Sequence, residues 1–225
     1  MSDRVRRTYS SPLREEAARR TRVTIRDAAA RLFVRNGYVS TTVKQIAEEA
    51  GVAIRTVFTA FPGGKAELFR DALDEAVAGV ADADAGGESA VAQTDGPATD
   101  RRAVGHPRGT DADLIVEQVV GYGAAMLERA GDLLMTSVES AGADLDMRRF
   151  AEDDARATAV NARTIAEGLH RSGWLRDGVD VDHAADVLYT LSSPQVHALL
   201  RRDCGWEVDR YRTWLAETLR ATLLR

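Results

Sequence analysis

Ile54, Arg55, Thr56 and Thr59 lie within six residues of one another, shortly after Gly51. An arginine can grip guanine O6 and N7 with two hydrogen bonds, and a threonine or isoleucine can press on a thymine methyl. Gathered on one short helix, these side chain types suit reading base edges in a duplex. For catalysis the chain offers little. Its four histidines, His106, His170, His183 and His197, sit in no nucleophile, Walker or zinc-hydrolase motif. His197 and Cys204 are seven apart on one helical face, but two ligands are too few for a metal. No catalytic residue, metal or cofactor is expected, and the chain is not read as an enzyme; the alternative is an all-α active site assembled only by folding. Tyr122, Met126, Met135, Phe150, His170 and Trp174 are apolar or amphipathic residues spread over the middle helices of the second half. They are candidates to line a small-molecule pocket, which between bundled helices is mostly apolar with a few polar groups.

The elements that must position the base-reading set can be read around it. Thr42 and Gln45 have capping-box spacing, so a helix starts there, with Ile46, Ala47 and Ala50 as its apolar side. Gly51 stops it, because glycine enters the left-handed region at little steric cost. A second short helix follows over about 54–61, with Val57, Phe58 and Phe61 at helical spacing. Two short helices joined by a glycine turn have the shape of a helix-turn-helix, whose second helix lies in the DNA major groove. A first helix is expected over about 15–36, with Ile25, Ala29, Leu32, Phe33 and Asn36 on one face. Pro62-Gly63-Gly64 turns the chain into a fourth helix over about 65–80.

Residues 82–110 are rich in Ala, Gly, Asp, Ser and Thr, carry Pro97 and Pro107 and contain no aromatic, which reads as a linker. Helices are then expected over about 111–130, 132–141 and 145–171, over 182–203 with a kink at Pro194, and over 207–224. The fold class is all-α: an N-terminal helix-turn-helix domain plus a C-terminal helical bundle. The expected divisions are an arginine-rich flexible arm over 1–20, the DNA-binding domain over 21–80, a linker or insertion over 81–110, and a ligand-binding and dimerisation domain over 111–225.

Charge supports this division. The 225 residues carry a net charge of −5, yet residues 1–70 hold 14 Lys and Arg against 7 Asp and Glu, while the remainder holds 16 against 28. A basic N-terminal part and an acidic remainder suit a protein that meets DNA by one part only. The single cysteine, Cys204, excludes an internal disulfide and fits a reducing cytoplasm. No apolar run is long enough to span a membrane, and no secretory signal is evident.

The run 25–73 resembles the TetR family of bacterial transcriptional repressors. The matching residues are Ala28-Ala29, Leu32-Phe33, Gly37-Tyr38, Thr41-Thr42-Val43, Ile46-Ala47, Ala50-Gly51-Val52, Thr56-Val57-Phe58, Phe61, Lys65 and Leu68-Phe69. The resemblance implies that Lys44 reaches bases or phosphate and that Thr42 and Lys65 contact phosphate, fixing orientation rather than sequence. Three residues depart from the family pattern. Ala53 stands where Ser is common, Phe58 where Tyr is usual, and Ala60 where His or Tyr often appears. Because Phe58 and Ala60 remove phosphate-bonding groups, Arg4, Arg6 and Arg7 of the arm are expected to supply backbone affinity by entering the minor groove.

Over 185–215 the chain is similar to the ligand-sensing domain of many such regulators. The resemblance implies a homodimer paired through the last two helices, for which Leu188, Leu191, Val196, Leu199, Tyr211, Leu215 and Leu219 are the candidate interface. The expected function is a repressor of transcription in the cytoplasm, released from a near-palindromic double-stranded operator by an unknown small-molecule effector, with no membrane partner. The alternative is a DNA-binding dimer without ligand response.

Overall fold

The computed structural model describes residues 12–84 and 112–225. Arg4, Arg6, Arg7 and residues 85–110 of the linker expected over 81–110 lie outside the described residues, whereas residues 81–84 continue a helix rather than a linker. The chain divides into two compact units at Ala72/Leu73, eight residues before the boundary read from the sequence.

The first unit contains α1 (Pro12–Asn36), α2 (Val43–Glu49), α3 (Ile54–Ala60) and the start of α4 (Gly64–Asp84). α1 begins at Pro12, so residues 12–20 are helical rather than part of an arm. Proline is tolerated in a first turn, where its missing N–H has no intrahelical partner to lose, and Glu16 pairs with Arg19 and Arg20 on the next turn, each at 2.8 Å. Ile25, Ala29, Leu32 and Phe33 are buried as their spacing requires, whereas Asn36 is exposed. Phe33, Tyr38 and Phe69 form an aromatic triangle with centroids 5.4–5.6 Å apart. Arg22 closes the unit from the other side: it donates to the Ala60 carbonyl at 2.5 Å and to Asp71 at 2.8 Å, and its guanidinium lies 3.9 Å from the Phe61 ring centroid. One α1 side chain thereby fixes both the end of α3 and the start of α4.

The second unit contains the rest of α4, α5 (Ala112–Ser140), α6 (Leu145–Arg171), α7 (Val181–Leu191), α8 (Pro194–Ala198) and α9 (Val208–Leu223). α5 is one continuous helix where the sequence suggested two. Gly131, which falls between those two expected helices, lies inside α5 where the buried His197 ring packs: a Cβ there would stand 3.1 Å from His197 Nδ1. α6 is as expected, capped by Asp144, which accepts from the Asp146 and Met147 amides.

The expected single helix over 182–203 is broken. Ser193 caps α8 by accepting from the Val196 amide, with Pro194 in the first turn. α8 then runs into a π-turn, Leu199–Asp203, closed by Cys204 N–H to Leu199 O at 2.9 Å. Proline thus starts a new helix here rather than kinking an old one. The core gathers α5, α6, α7 and α9 around Ile165, Ala166, Leu188, Tyr211, Leu215 and Leu219. At the C-terminus Leu224 pairs with Leu175 in an isolated antiparallel bridge, through Arg176 N–H to Leu223 O and Arg225 N–H to Trp174 O.

Candidate nucleic-acid interface and ligand cavity

The helix-turn-helix is built from its caps. Thr42 is extended at φ −110°, ψ 152°; its hydroxyl accepts from the Gln45 amide, and Gln45 Oε1 accepts from the Thr42 amide at 2.8 Å, completing the capping box. Thr42 therefore serves first as the cap of α2, with its side chain exposed. Gly51 turns the chain at φ +68°, and the Val52 amide reaches back to Ala47 O at 3.0 Å. α3 has no such support at its start: Ala53 makes no side-chain cap, and the Thr56 amide settles on the Ala53 carbonyl at 2.8 Å.

Val57 and Phe61 face the core, which turns the opposite side of α3 outward. That side presents Ile54, Arg55, Phe58 and Thr59, while Thr56 is half-buried. The Thr59 hydroxyl donates to the Arg55 carbonyl at 2.8 Å, leaving its lone pairs and methyl for an outside partner. Phe58 corrects the sequence reading. It was grouped with Val57 and Phe61 as packing, yet it is 49% exposed, and Ile54 one turn earlier is 43% exposed. Ile54 and Phe58 thus form an apolar ridge beside Arg55 on the outward side of α3, and the signal for it was their four-residue spacing.

Lys44 is exposed and pairs loosely with Glu48 at 3.8 Å. Lys65 is tied inward: its ammonium donates to the Tyr38 carbonyl at 2.9 Å and lies 4.1 Å from the centroid of the Tyr38 ring. It braces the turn between α1 and α2, a role not legible from its place in the sequence.

In the second unit a cavity, partly open to solvent, lies among α4, α5, α6 and α7. Of the six candidate ligand residues it is lined by Tyr122 and Met126 only, joined by Val77, Val119, Thr158 and Asn161. His170 is exposed in the last turn of α6, Phe150 is buried away from the cavity, Met135 is half-buried elsewhere, and Trp174 lines a separate hollow with Asp113, Arg220 and Arg225. Short or polar side chains of α6 facing inward create the room, and large-residue reasoning overlooked them.

The candidate interface residues divide similarly. Leu188, Tyr211, Leu215 and Leu219 are buried in the protomer's own core, so they are not available to a partner. Leu191 and Val196 are half-buried, and Leu199 is 53% exposed. His197 is likewise structural: Nε2 lies 2.9 Å from Glu128 Oε1, and the ring meets Tyr211 edge-on at 5.2 Å. Cys204 is exposed, and no group of three or more metal-ligating side chains occurs among the described residues.

A capped α2, a glycine turn and an α3 with an outward arginine define a helix-turn-helix domain of the DNA-binding regulators, joined in one chain to a helical bundle. Residues 25–72, within the first unit, match the family described as bacterial regulatory proteins, tetR family. Solved structures share the whole fold. NalD, the secondary repressor of the MexAB-OprM multidrug efflux pump in Pseudomonas aeruginosa, aligns with a TM-score of 0.65 at 19% identity, over 93% of this chain and 98% of its own. A putative transcriptional regulator from Saccharomonospora viridis, solved with choline, gives 0.60 at 20% identity, over 92% and 99%. The regulator FadR from Bacillus subtilis, solved with stearoyl-CoA, gives 0.58 at 19% identity, over 88% and 96%. No curated protein matches the chain. No helix among the described residues is long and apolar enough to cross a membrane.

Proposed function

We propose that this protein is a transcriptional repressor that binds a near-palindromic operator as a homodimer and is released by a small molecule entering the cavity of its second unit. The observation that carries the reading is the outward face of α3, where Arg55 stands between Ile54 and Phe58 with Thr59 beside them. Arg55 takes a guanine edge, and Ile54 and Phe58 take thymine methyls. Lys44 and Thr42 lie on α2 and its cap, in reach of the backbone flanking the groove, and the arm residues Arg4, Arg6 and Arg7 add phosphate contacts. A two-fold dimer matches half-sites about one helical turn apart, ~34–36 Å. Its contact uses Leu191, Val196 and Leu199, the members of the candidate set that the core leaves accessible.

The cavity supports ligand response over a body that serves only to dimerise. Relatives of this fold were solved with ligands as unlike as choline and stearoyl-CoA, so the fold leaves the ligand class open. The test is selection of bound duplexes from a random pool with the full chain. A two-fold symmetric site containing G and T at fixed positions is expected; recovery of no preferred sequence refutes the reading.

A further inference from the structure

The wall of the cavity among α4–α7 is mostly apolar, through Val77, Val119, Met126, Leu134, Ile165 and Leu188. No Asp, Glu, Lys, Arg or His among the described residues lines it. Its polar side chains are Tyr122, Thr158, Asn161 and Ser192. Thr158 and Asn161 lie about one turn apart on α6 and differ in what they offer. Thr158 Oγ1 donates to the Asp154 carbonyl at 2.9 Å, which commits its proton and leaves its lone pairs as acceptors. Asn161 is half-buried, and its side chain makes no hydrogen bond among the described residues. Its amide therefore offers the cavity both N–H donors and a carbonyl acceptor. The Ser192 hydroxyl, at the end of α7, is likewise uncommitted among the described residues.

Such a lining selects against charge of either sign. An ion entering it leaves water for a wall that offers no ionised side chain among the described residues, a far larger cost than moving an uncharged group. An uncommitted amide in an apolar wall imposes the complementary demand. A ligand that covers it without hydrogen-bonding to it strips off its water and returns nothing. Thr158 accepts, and Asn161 both donates and accepts, so the matching group must itself accept and donate. A ketone or ester, which only accepts, leaves the Asn161 carbonyl and the Thr158 lone pairs unmet. Resting on the reading of this cavity as the effector site, we infer that the effector is an uncharged molecule with an apolar body and one carboxamide or hydroxyl group, held by the side-chain amide of Asn161. Asn161, Thr158 and Ile165 all stand on α6, so the polar and apolar ends of the ligand are placed by one rigid element.

The test titrates the full-length protein calorimetrically at neutral pH with three probes that share one chain length: octanamide, octanoate and octylammonium. Octanamide is expected to bind about 10-fold more tightly than either ion, or better. Asn161→Leu keeps the volume and removes both hydrogen-bonding groups, and should weaken octanamide by about 10-fold, the scale of one or two hydrogen bonds. Asn161→Asp puts a carboxylate in the same place and should make octylammonium the tightest of the three. Either ion binding the unaltered protein as tightly as octanamide, an Asn161→Leu variant that keeps its octanamide affinity, an Asn161→Asp variant that keeps the original order, or no binding by any probe overturns the inference. Should both variants fail to fold, the three-probe comparison on the unaltered protein decides alone. Operator affinity measured alongside separates the two readings. Octanamide binding that leaves it unchanged refutes the effector role while the ligand site stands, and operator release by an ion that binds more tightly than octanamide refutes the ligand class while the effector role stands.

Discussion

The two helices of the helix-turn-helix are capped unequally, and the difference yields a paired prediction. Thr42 holds α2 with two reciprocal bonds, while Ala53 gives α3 none. Ala53 is already extended, at φ −70° and ψ 146°, and exposed, so a serine enters the same backbone without a clash. A side-chain cap contributes about 0.5–2 kcal/mol. At Ala53 the gain falls at the low end, roughly 0.5–1 kcal/mol, because the Thr56 amide already has the Ala53 carbonyl at 2.8 Å and only part of the new bond is a net addition. At Thr42 the loss falls at the high end, roughly 1–2 kcal/mol, because the hydroxyl makes two bonds, accepting from the Gln45 amide and donating to Gln45 Oε1.

These energies appear most directly as local opening, read by amide hydrogen exchange under native conditions. Ala53→Ser should slow exchange of the α3 amides by about two- to fivefold, and Thr42→Ala should speed that of α2 by about five- to thirtyfold. Operator affinity should change by less than about twofold in Ala53→Ser, since a helix already mostly formed has little population left to gain. Faster α3 exchange in Ala53→Ser, or an α2 indifferent to Thr42→Ala, would refute the capping argument.

Arg55→Ala should lose about 1–3 kcal/mol of discrimination at one or two base positions in a binding-site selection, whereas Lys65→Ala should chiefly destabilise the first unit in urea by loosening the Tyr38 turn. Gly131→Ala should destabilise by about 1–2 kcal/mol through overpacking on a His197 ring held by Glu128 and Tyr211, and in a His197→Ala background the same change should turn stabilising, as a helix propensity gain predicts. Hydrogen bonding from Arg201, opposed by burial and assisted by His197, holds the Glu128 carboxyl below its ordinary value of 4.5. A depressed folded pKa stabilises above the unfolded value and is lost as pH falls through the folded one, so the stability gap between the protein and Glu128→Gln, measured in urea, should be full at pH 7 and shrink on acidification below 4.5. Deleting residues 1–11, which leaves α1 whole, should make the log–log salt dependence of operator binding shallower by about 2–3 units per subunit; an unchanged slope assigns the arm no phosphate contact.

The first unit was legible because its information is local. A capping box, a glycine at positive φ and apolar residues at helical spacing each act within a turn or two, and each occurs where the residues place it. What escaped was set by distance. Lys65 reads as a surface cation, and only the fold brings Tyr38 beneath it, 27 positions away. Phe58 reads as core because phenylalanine is usually buried, but Val57 and Phe61 already fill the inward side of a seven-residue helix. A helix so short has one inward face, and a third large residue must stand outside it.

The second unit shows why one apolar stripe has two meanings. Tyr211, Leu215 and Leu219 recur every fourth residue on α9, and the sequence cannot say whether α5, α6 and α7 or a second copy covers them. Their burial within one protomer gives the answer: the unit's own core takes the strongest stripe. The proposed dimer is left the half-buried Leu191 and Val196 and the exposed Leu199, which flank the serine-capped break and the π-turn. The cavity follows from the converse rule. Large residues mark where a core is filled, so a search for aromatic and methionine side chains finds walls and misses the room between them. On α6 the room is made by Ala157, Thr158, Asn161 and Ala162, residues too small or too polar to complete the packing against α5. A vacancy in a bundle is written in the residues that fail to fill it.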